Sequence, residues 1–358
     1  MTKPFGVASD VHLHNWTAFA ESTADGVNSR LRIILNELIR AAQQTLKSGG
    51  KRMVITGDLF HVRGSITPSV LNPTLDTFRQ IIDMGIEEVD VLAGNHDLES
   101  KDSNALTNAC EALSQLSEVM VVSATKIVDR NRAVYVPWYD NSDDLLAEIN
   151  RAIGELPEPV GEYDLFIHAP VDDVLPNMPG HGINPDDLKN LGFRYVFSGH
   201  YHNHKEVRDG VFSVGATTHQ TWGDVDSKAG FLLVNDRGVS YWPSEAPAFV
   251  DLSAATVTDD VEAWDLCSGN YVRVKLDQVT QSEVAEIKSW LIDDIGAKNC
   301  IIQATPKNKV VSRTRSSKGG TLRESVGDFV GSKNMTVEKK DVLAVCEDIL
   351  TATAGVTV

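Results

Sequence analysis

Five short polar motifs, each placed where an apolar run ends, constrain this chain more than any other feature. In order they are Asp10-Val11-His12, Gly57-Asp58-Leu59-Phe60-His61, Gly94-Asn95-His96-Asp97, His168 closing Phe166-Ile167-His168, and Gly199-His200-Tyr201-His202. The runs before them, Phe5 to Ser9, Arg52 to Thr56, Val89 to Ala93, Asp164 to Ile167 and Tyr195 to Ser198, are short and largely apolar. Such runs read as strands buried on both faces. In a layered α/β protein, ligands gather in the crevice beyond the carboxyl ends of these strands, so remote segments can meet there. Carboxylate, imidazole and carboxamide groups are the hard and borderline donors that hold divalent metals. One such tripeptide says little, whereas five in this order leave small room for chance. The glycines at 57, 94 and 199 are expected to let the chain turn sharply as it leaves each strand.

The segments between the motifs alternate. Asn28 to Lys47 reads as an amphipathic helix with Leu31, Ile34, Leu35 and Leu38 on one face, Asn28 as its cap and Gly49-Gly50 as its stop. Leu71 to Met84, Ala105 to Leu116 and Ser142 to Ile153 are further helical candidates, and Ala133 to Val136 is a strand ended by Pro137. Phe212 to Val214, Phe231 to Val234 and Val239 to Trp242 follow as closely spaced strands. Alternation followed by several strands in succession predicts a layered α/β sandwich with a mixed sheet. We expect this first domain to span 1–250.

Beyond Pro243 to Pro247 the composition changes. A strand at Tyr271 to Leu276, a helix opened by the capping box Thr280-Gln281-Ser282-Glu283, and a strand at Cys300 to Gln303 predict a small βαβ unit over 251–306. Lys307, Lys309, Arg313, Arg315 and Lys318 lie in a Ser/Gly-containing stretch, 307–321, that reads as a basic linker. Two short helices are expected in 322–358, the second carrying an apolar stripe of Val342, Val345, Cys346 and Ile349. A helical pair beyond a flexible linker has little of its own chain to pack on, so it reads as a docking element.

At 358 residues the chain suits about two domains or slightly more. No apolar stretch is long enough to span a bilayer and Met1 to Asp10 lacks a secretory pattern. The four cysteines form no Cys-x-x-Cys pair and read as buried free thiols. A cytoplasmic location is the expectation. The net charge of −17 argues against a protein that grips DNA with its own surface, because phosphate neutralisation supplies most such affinity. Bound divalent cations would reverse the potential locally, and a partner would have to supply the rest of the grip.

With its motifs placed, the chain resembles the calcineurin-type metallophosphoesterases over about Val7 to Trp242. Within them it resembles the SbcD-type nuclease subunits of DNA-repair nuclease–ATPase complexes, including the phage counterparts, through Gly57-Asp58-Leu59-Phe60-His61 followed by Pro68-Ser69. The resemblance implies an αββα sandwich, a capping domain and a C-terminal helical element that binds the base of an SMC-like coiled-coil ATPase. It also implies DNA as substrate and a homodimer within a heterotetramer. Asp10, His12 and His202 would bind one metal, Asn95, His168 and His200 a second, and Asp58 would bridge them. His96, paired with Asp97, would lie over the scissile phosphate, and His61 would approach it. His14 stands where the family usually has Gly.

The residues support that chemistry independently. A two-oxygen carboxylate such as Asp58 can bridge two cations, which lower the pKa of a water and neutralise charge building on phosphorus. Mixed oxygen and nitrogen donors without thiolate favour Mn2+. His14, His181, His204 and His219 are expected to be solvated or structural, and Arg63 a surface arginine. A small phosphodiester or phosphomonoester is the competing substrate.

Overall fold

The computed structural model describes residues 3–100, 107–176, 180–253, 260–306, 322–333 and 337–353. Two six-stranded sheets form the frame. In the first, β1 (Phe5–Ala8), β2 (Arg52–Ile55), β3 (Glu88–Leu92) and β4 (Val119–Val122) run parallel, and the antiparallel β11 (Gly230–Asn235) and β12 (Gly238–Pro243) extend it beside β1. In the second, β6 (Ala133–Val136), β7 (Asp164–His168), β8 (Tyr195–Gly199) and β10 (Val211–Ser213) run parallel between the antiparallel edges β5 (Lys126–Val128) and β9 (Lys205–Arg208).

Strand periodicity decides which layer each side chain enters. Val7, Val54 and Leu232 point inward to a core shared with Tyr135, Phe166, Phe197 and Phe212 of the second sheet. Their neighbours Ala8, Met53, Ile55, Phe231 and Leu233 point outward to a core formed with α1 (Ser29–Lys47) and α2 (Pro68–Asp83). On the far side, Val134, Leu165, Ile167 and Val196 pack against α3 (Ser142–Gly154) and α4 (Pro185–Asn190). The layers are therefore helix, sheet, sheet, helix. Phe166 and Phe197 stack in the middle at 5.3 Å, with Phe197 on Phe212 at 5.6 Å.

The strands before the motifs and α1 lie where the sequence places them. Asn28 Oδ1 accepts from the Arg30 and Leu31 amides, satisfying two of the helix's orphan donors. Helix α2 starts three residues earlier than its apolar face, at Pro68, because proline loses no hydrogen bond in a first turn. The expected helix over Ala105 to Leu116 is, in the described residues, a 3-10 turn at Ala109–Leu113. Asn108 caps it through the Cys110 amide, and Thr107 is tied back to Glu99. Sequence reading missed β4, β5, β9 and the helix α5 (Asp260–Cys267). Edge strand β9 buries only Val207 among charged neighbours, which leaves almost no apolar signal.

The chain divides into two compact units, Met1–Leu276 with Ser282–Gln303, and Asp277–Gln281 with Ala304–Val358. A three-stranded sheet of β13 (Phe249–Leu252), β14 (Tyr271–Val279) and β15 (Asn299–Pro306) follows the frame, with α6 (Gln281–Ser289) between the last two strands. In the second unit α7 (Leu322–Ser332) and α8 (Lys339–Thr353) pack together, bridged by Arg323 and Glu347 at 2.6 Å. The expected stripe on α8 divides: Val342 and Cys346 are half-buried, whereas Val345 and Ile349 are 59% and 58% exposed. The basic stretch 307–321 lies outside the described residues. No described helix is long and apolar enough to cross a membrane.

Candidate metal centre

The parallel ladders carry the motifs to one end of the frame and then hold them together. Beyond β1 and β2 the pairing continues through Asp10 N to Gly57 O, His12 N to Asp58 O and Leu13 N to Leu59 O, at 3.1, 3.0 and 2.8 Å. Asp10, His12, Asp58 and His200 all have positive φ, from 47° to 100°. Non-glycine residues pay for that backbone, and such strain collects at functional sites. Here it turns four donor side chains back toward the crevice.

The motif glycines do different work from that expected. Only Gly57 of the three has positive φ. At Gly94 a Cβ would lie 2.2 Å from Asp58 Oδ1, and at Gly199 it would lie 2.3 Å from Ser9 Oγ and 2.7 Å from His168 Nδ1. These two are glycine because the carboxylate and amide of Asp58 beside Gly94, and the Ser9 hydroxyl, Thr56 carbonyl and His168 ring beside Gly199, occupy the space a side chain would need.

Seven donors meet there. Asp10, His12, Asp58, Asn95 and His168 are buried, and His200 and His202 half-buried. Asp58 Oδ1 stands 3.4 Å from His168 Nε2, and Asp58 Oδ2 stands 3.6 Å from His12 Nε2. Asn95 Oδ1 is 3.1 Å from both His168 Nε2 and His200 Nδ1. His12 Nε2 and His202 Nε2 are 3.2 Å apart. Within each of the sets Asp10–His12–His202 and Asp10–Asp58–His168, the ligand atoms lie within 4.8 Å of one another.

The hydrogen bonds test whether this set suits a cation. His168 Nδ1 faces the Thr56 carbonyl at 2.7 Å, and a carbonyl can only accept, so Nδ1 carries the proton. In the neutral ring Nε2 then presents a lone pair to Asp58 and Asn95 oxygens. His202 Nδ1 likewise donates to Asp224 Oδ1 at 2.6 Å, turning its Nε2 lone pair toward His12. Lone pairs facing one another across about 3 Å repel unless a positive charge lies between them. Together with two buried carboxylates, that arrangement fits divalent metals.

Electrostatics agree. Burial pushes the Asp10 carboxyl up, with Asp58 adding to it against His168 and His202. Burial opposes the charge on Asp58 as well, but His168, then His12 and His96, outweigh it and hold that carboxyl below the usual range. Reciprocally, Asp58 overrides burial and lifts His168 to about 9. Burial lowers His12 well below normal and takes His61 and His200 to about 4. His202 is raised, because the Asp224 contact outweighs burial.

His96, His61 and Asp97 lie beside the donors with distinct surroundings. The His96 ring stacks on His61 at 5.3 Å and meets His12 edge-on at 4.8 Å. Its Nδ1 donates to the His61 carbonyl at 2.7 Å, and its backbone amide donates to Asp58 Oδ1 at 2.8 Å. The expected pairing of His96 with Asp97 is replaced. Asp97 is fully buried and accepts from the backbone amides of Gly94, Phe60 and Leu59 at 2.9, 2.8 and 3.3 Å. Three amide donors within one residue's reach outcompete a single imidazole, so Asp97 fastens the second and third motif loops to each other. Burial, then Asp58, raises its carboxyl to about 6.

His14 lies 5.2 Å from His61 and 5.4 Å from Trp16, at the rim. His204 and His219 are structural: His204 stacks on Tyr241 and donates to Ser213 O, and His219 bonds Phe249 N and Ser227 O. Arg63 is exposed. Sequence reading missed Trp138, which stacks on His200 at 5.2 Å, and Trp16, whose ring lies 4.4 Å from His61. It also missed Asp224. The one available signal was the Pro137-Trp138 step after a buried strand; nothing marks Asp224 locally.

The chain has similarities to known families and proteins. A model of the family described as calcineurin-like phosphoesterase matches residues 3–204, a span that contains all seven donors. The chain is similar to exonuclease subunit 1 of Enterobacteria phage T4, at 26% identity over 205 residues. That similarity covers 56% of this chain and 58% of the length of the phage protein. Solved structures with some likeness include a dimetal phosphatase from Danio rerio, at 12% identity over 64% of this chain and 91% of that one, TM-score 0.38. Another is nuclease MPE from Pseudomonas putida, at 16% identity over 55% of this chain and 61% of that one, TM-score 0.25.

Proposed function

We propose, from the premise that this chain belongs to the calcineurin-like phosphoesterase family, that it is a metal-dependent DNA nuclease. It would hydrolyse phosphodiesters as the nuclease subunit beside an SMC-like coiled-coil ATPase, in DNA repair, recombination or replication. The observation that carries this reading is the meeting of donors from all five motifs in a chain similar to a phage exonuclease subunit.

In this reading Asp10, His12 and His202 hold one cation, Asn95, His168 and His200 hold another, and Asp58 serves both, with Mn2+ the preferred ion. When bound, such a pair lowers the pKa of a water and neutralises charge on the phosphoryl oxygens. His96 spends Nδ1–H on the His61 carbonyl, which leaves Nε2 as the atom able to hydrogen-bond the phosphate or the leaving oxygen. His61, stacked on that ring and neutral at pH 7, supports its orientation. Asp97 is a positioning residue that keeps the loops bearing Asp58 and His96 in register. A homodimer, the cap over 251–306, the linker 307–321 and docking through 322–358 complete the proposal.

Mn2+ and linear DNA should give cleavage that Asp58→Ala abolishes, with the ATPase and ATP present. Intact DNA at high enzyme concentration would refute the nuclease reading. The net charge of −17 favours a second reading, hydrolysis of a small phosphoester. A chromogenic phosphodiester run beside linear DNA separates the two. Truncation after Lys318 should abolish ATPase binding and spare small-ester hydrolysis.

A further inference from the structure

The turn from Gln220 to Asp224 touches the donor cluster on one side and the three-stranded sheet on the other. Toward the donors, Gln220 Nε2 donates to the Asp10 and Val11 carbonyls at 2.9 and 3.3 Å. Thr221 and Asp224 close a capping box on the short helix Trp222–Asp224. Asp224 Oδ2 accepts from the Gln220 and Thr221 amides, both at 2.8 Å. With that oxygen fixed by two backbone bonds, Oδ1 has one direction to face, and it meets His202 Nδ1.

Toward the sheet, the Trp222 ring meets Phe249 of β13 edge-on at 4.8 Å, and the Arg273 guanidinium of β14 lies 4.5 Å above it. The Phe249 amide donates to His219 Nδ1 at 3.1 Å. Arg30 of α1 donates to the Gln220 carbonyl at 2.9 Å and sits over Phe249 and Tyr271, at 5.0 and 5.2 Å from their centroids. The turn is therefore clamped between α1 and the small sheet.

His202 depends on such an arrangement more than His12 and His168 do. Its side chain is 30% exposed, against 3% for His12 and none for His168, so packing alone does not fix its ring. We propose that Asp224 is a positioning residue for His202, and that the three-stranded sheet sets its position through Trp222. Seating of that sheet thereby tunes cation affinity at one of the two sites and not the other. Partners of this kind fix an imidazole's tautomer and orientation, and losing one costs about 10–100-fold in metal affinity.

The proposal rests on the dimetal reading, which the unaltered protein tests separately. Mn2+ binding to the full chain is followed by calorimetry and by electron paramagnetic resonance, which distinguishes paired from isolated Mn2+. The unaltered chain should take two ions; failure to do so refutes the dimetal reading itself. Asp224→Ala should weaken one ion by about 10–100-fold, leave the other unchanged, and convert the paired signal to an isolated one. Trp222→Ala should weaken the same ion by a smaller factor. Two unchanged affinities in Asp224→Ala, or equal weakening of both, would overturn the positioning role. An unchanged first ion in Trp222→Ala would overturn the link to the sheet.

Discussion

Two buried clusters of charge occupy the same pair of sheets and are built on opposite plans. Near the amino ends of the strands, Arg52 donates to Asp90 at 2.8 Å and to the Tyr135 hydroxyl, which itself donates to Asp90. The guanidinium also sits 5.1 Å over Phe5. Every charge there finds its opposite within the chain. At the carboxyl ends, the ion-pair partners of Asp10 and Asp58 among the described residues are imidazoles, themselves crowded by other imidazoles. Folding completes the first cluster, whereas the second has the ligand types that would gain from a divalent cation.

Mutations should separate the two plans. The largest effect is expected at His96, whose hold on Asp58 runs through its backbone amide and survives loss of the ring. His96→Ala should lower phosphodiester hydrolysis by about 10²–10⁴-fold while Mn2+ binding and melting temperature hold, measured by turnover, calorimetry and thermal denaturation. Arg52→Ala should do the reverse. It leaves Asp90 buried without its cation and should cost about 3–5 kcal/mol in denaturant unfolding, with activity per folded molecule retained. A neutral Arg52→Ala would erase the contrast.

Next in size is the response to metal. Mn2+ at about 100 times its dissociation constant should stabilise the protein by about 2.7 kcal/mol, and Asp58→Ala should abolish that gain. Its pH dependence has a definite sign. His168 is held up to about 9, so a cation must displace its proton, and the gain should grow as pH rises from about 6 toward 9. A gain that shrinks over this range, read from melting curves with and without Mn2+, would contradict the assignment of His168. The smallest effect on stability should come from α8. Val345→Asp alters an exposed position and should change unfolding free energy by less than about 0.5 kcal/mol, yet weaken ATPase binding in a pull-down with the purified partner.

Legibility of the fold followed the strength of the apolar signal. The five strands before the motifs and α1 could be read because each buries a continuous run or a full helical face. Strand β9 and the 3-10 turn after Asn108 could not, since edge position and tertiary tethers shape them. At the site, donor types marked the five motifs, and the family resemblance singled out seven residues within them. Asp97 was misread because adjacency to His96 suggested a pair, whereas three backbone amides claimed both of its oxygens.

From residue order alone follow the strands, their polar ends and a donor set suited to hard or borderline cations, because these depend on side-chain chemistry and period-two burial. Which imidazole nitrogen faces inward depends instead on groups remote in the chain: Thr56 for His168 and Asp224 for His202. Why two motif glycines have no room for a side chain likewise depends on which remote atoms, backbone and side chain, fill the space beside them. Hydrogen-bond direction and steric room are properties of neighbours in space, and only the packed tertiary structure chooses those neighbours.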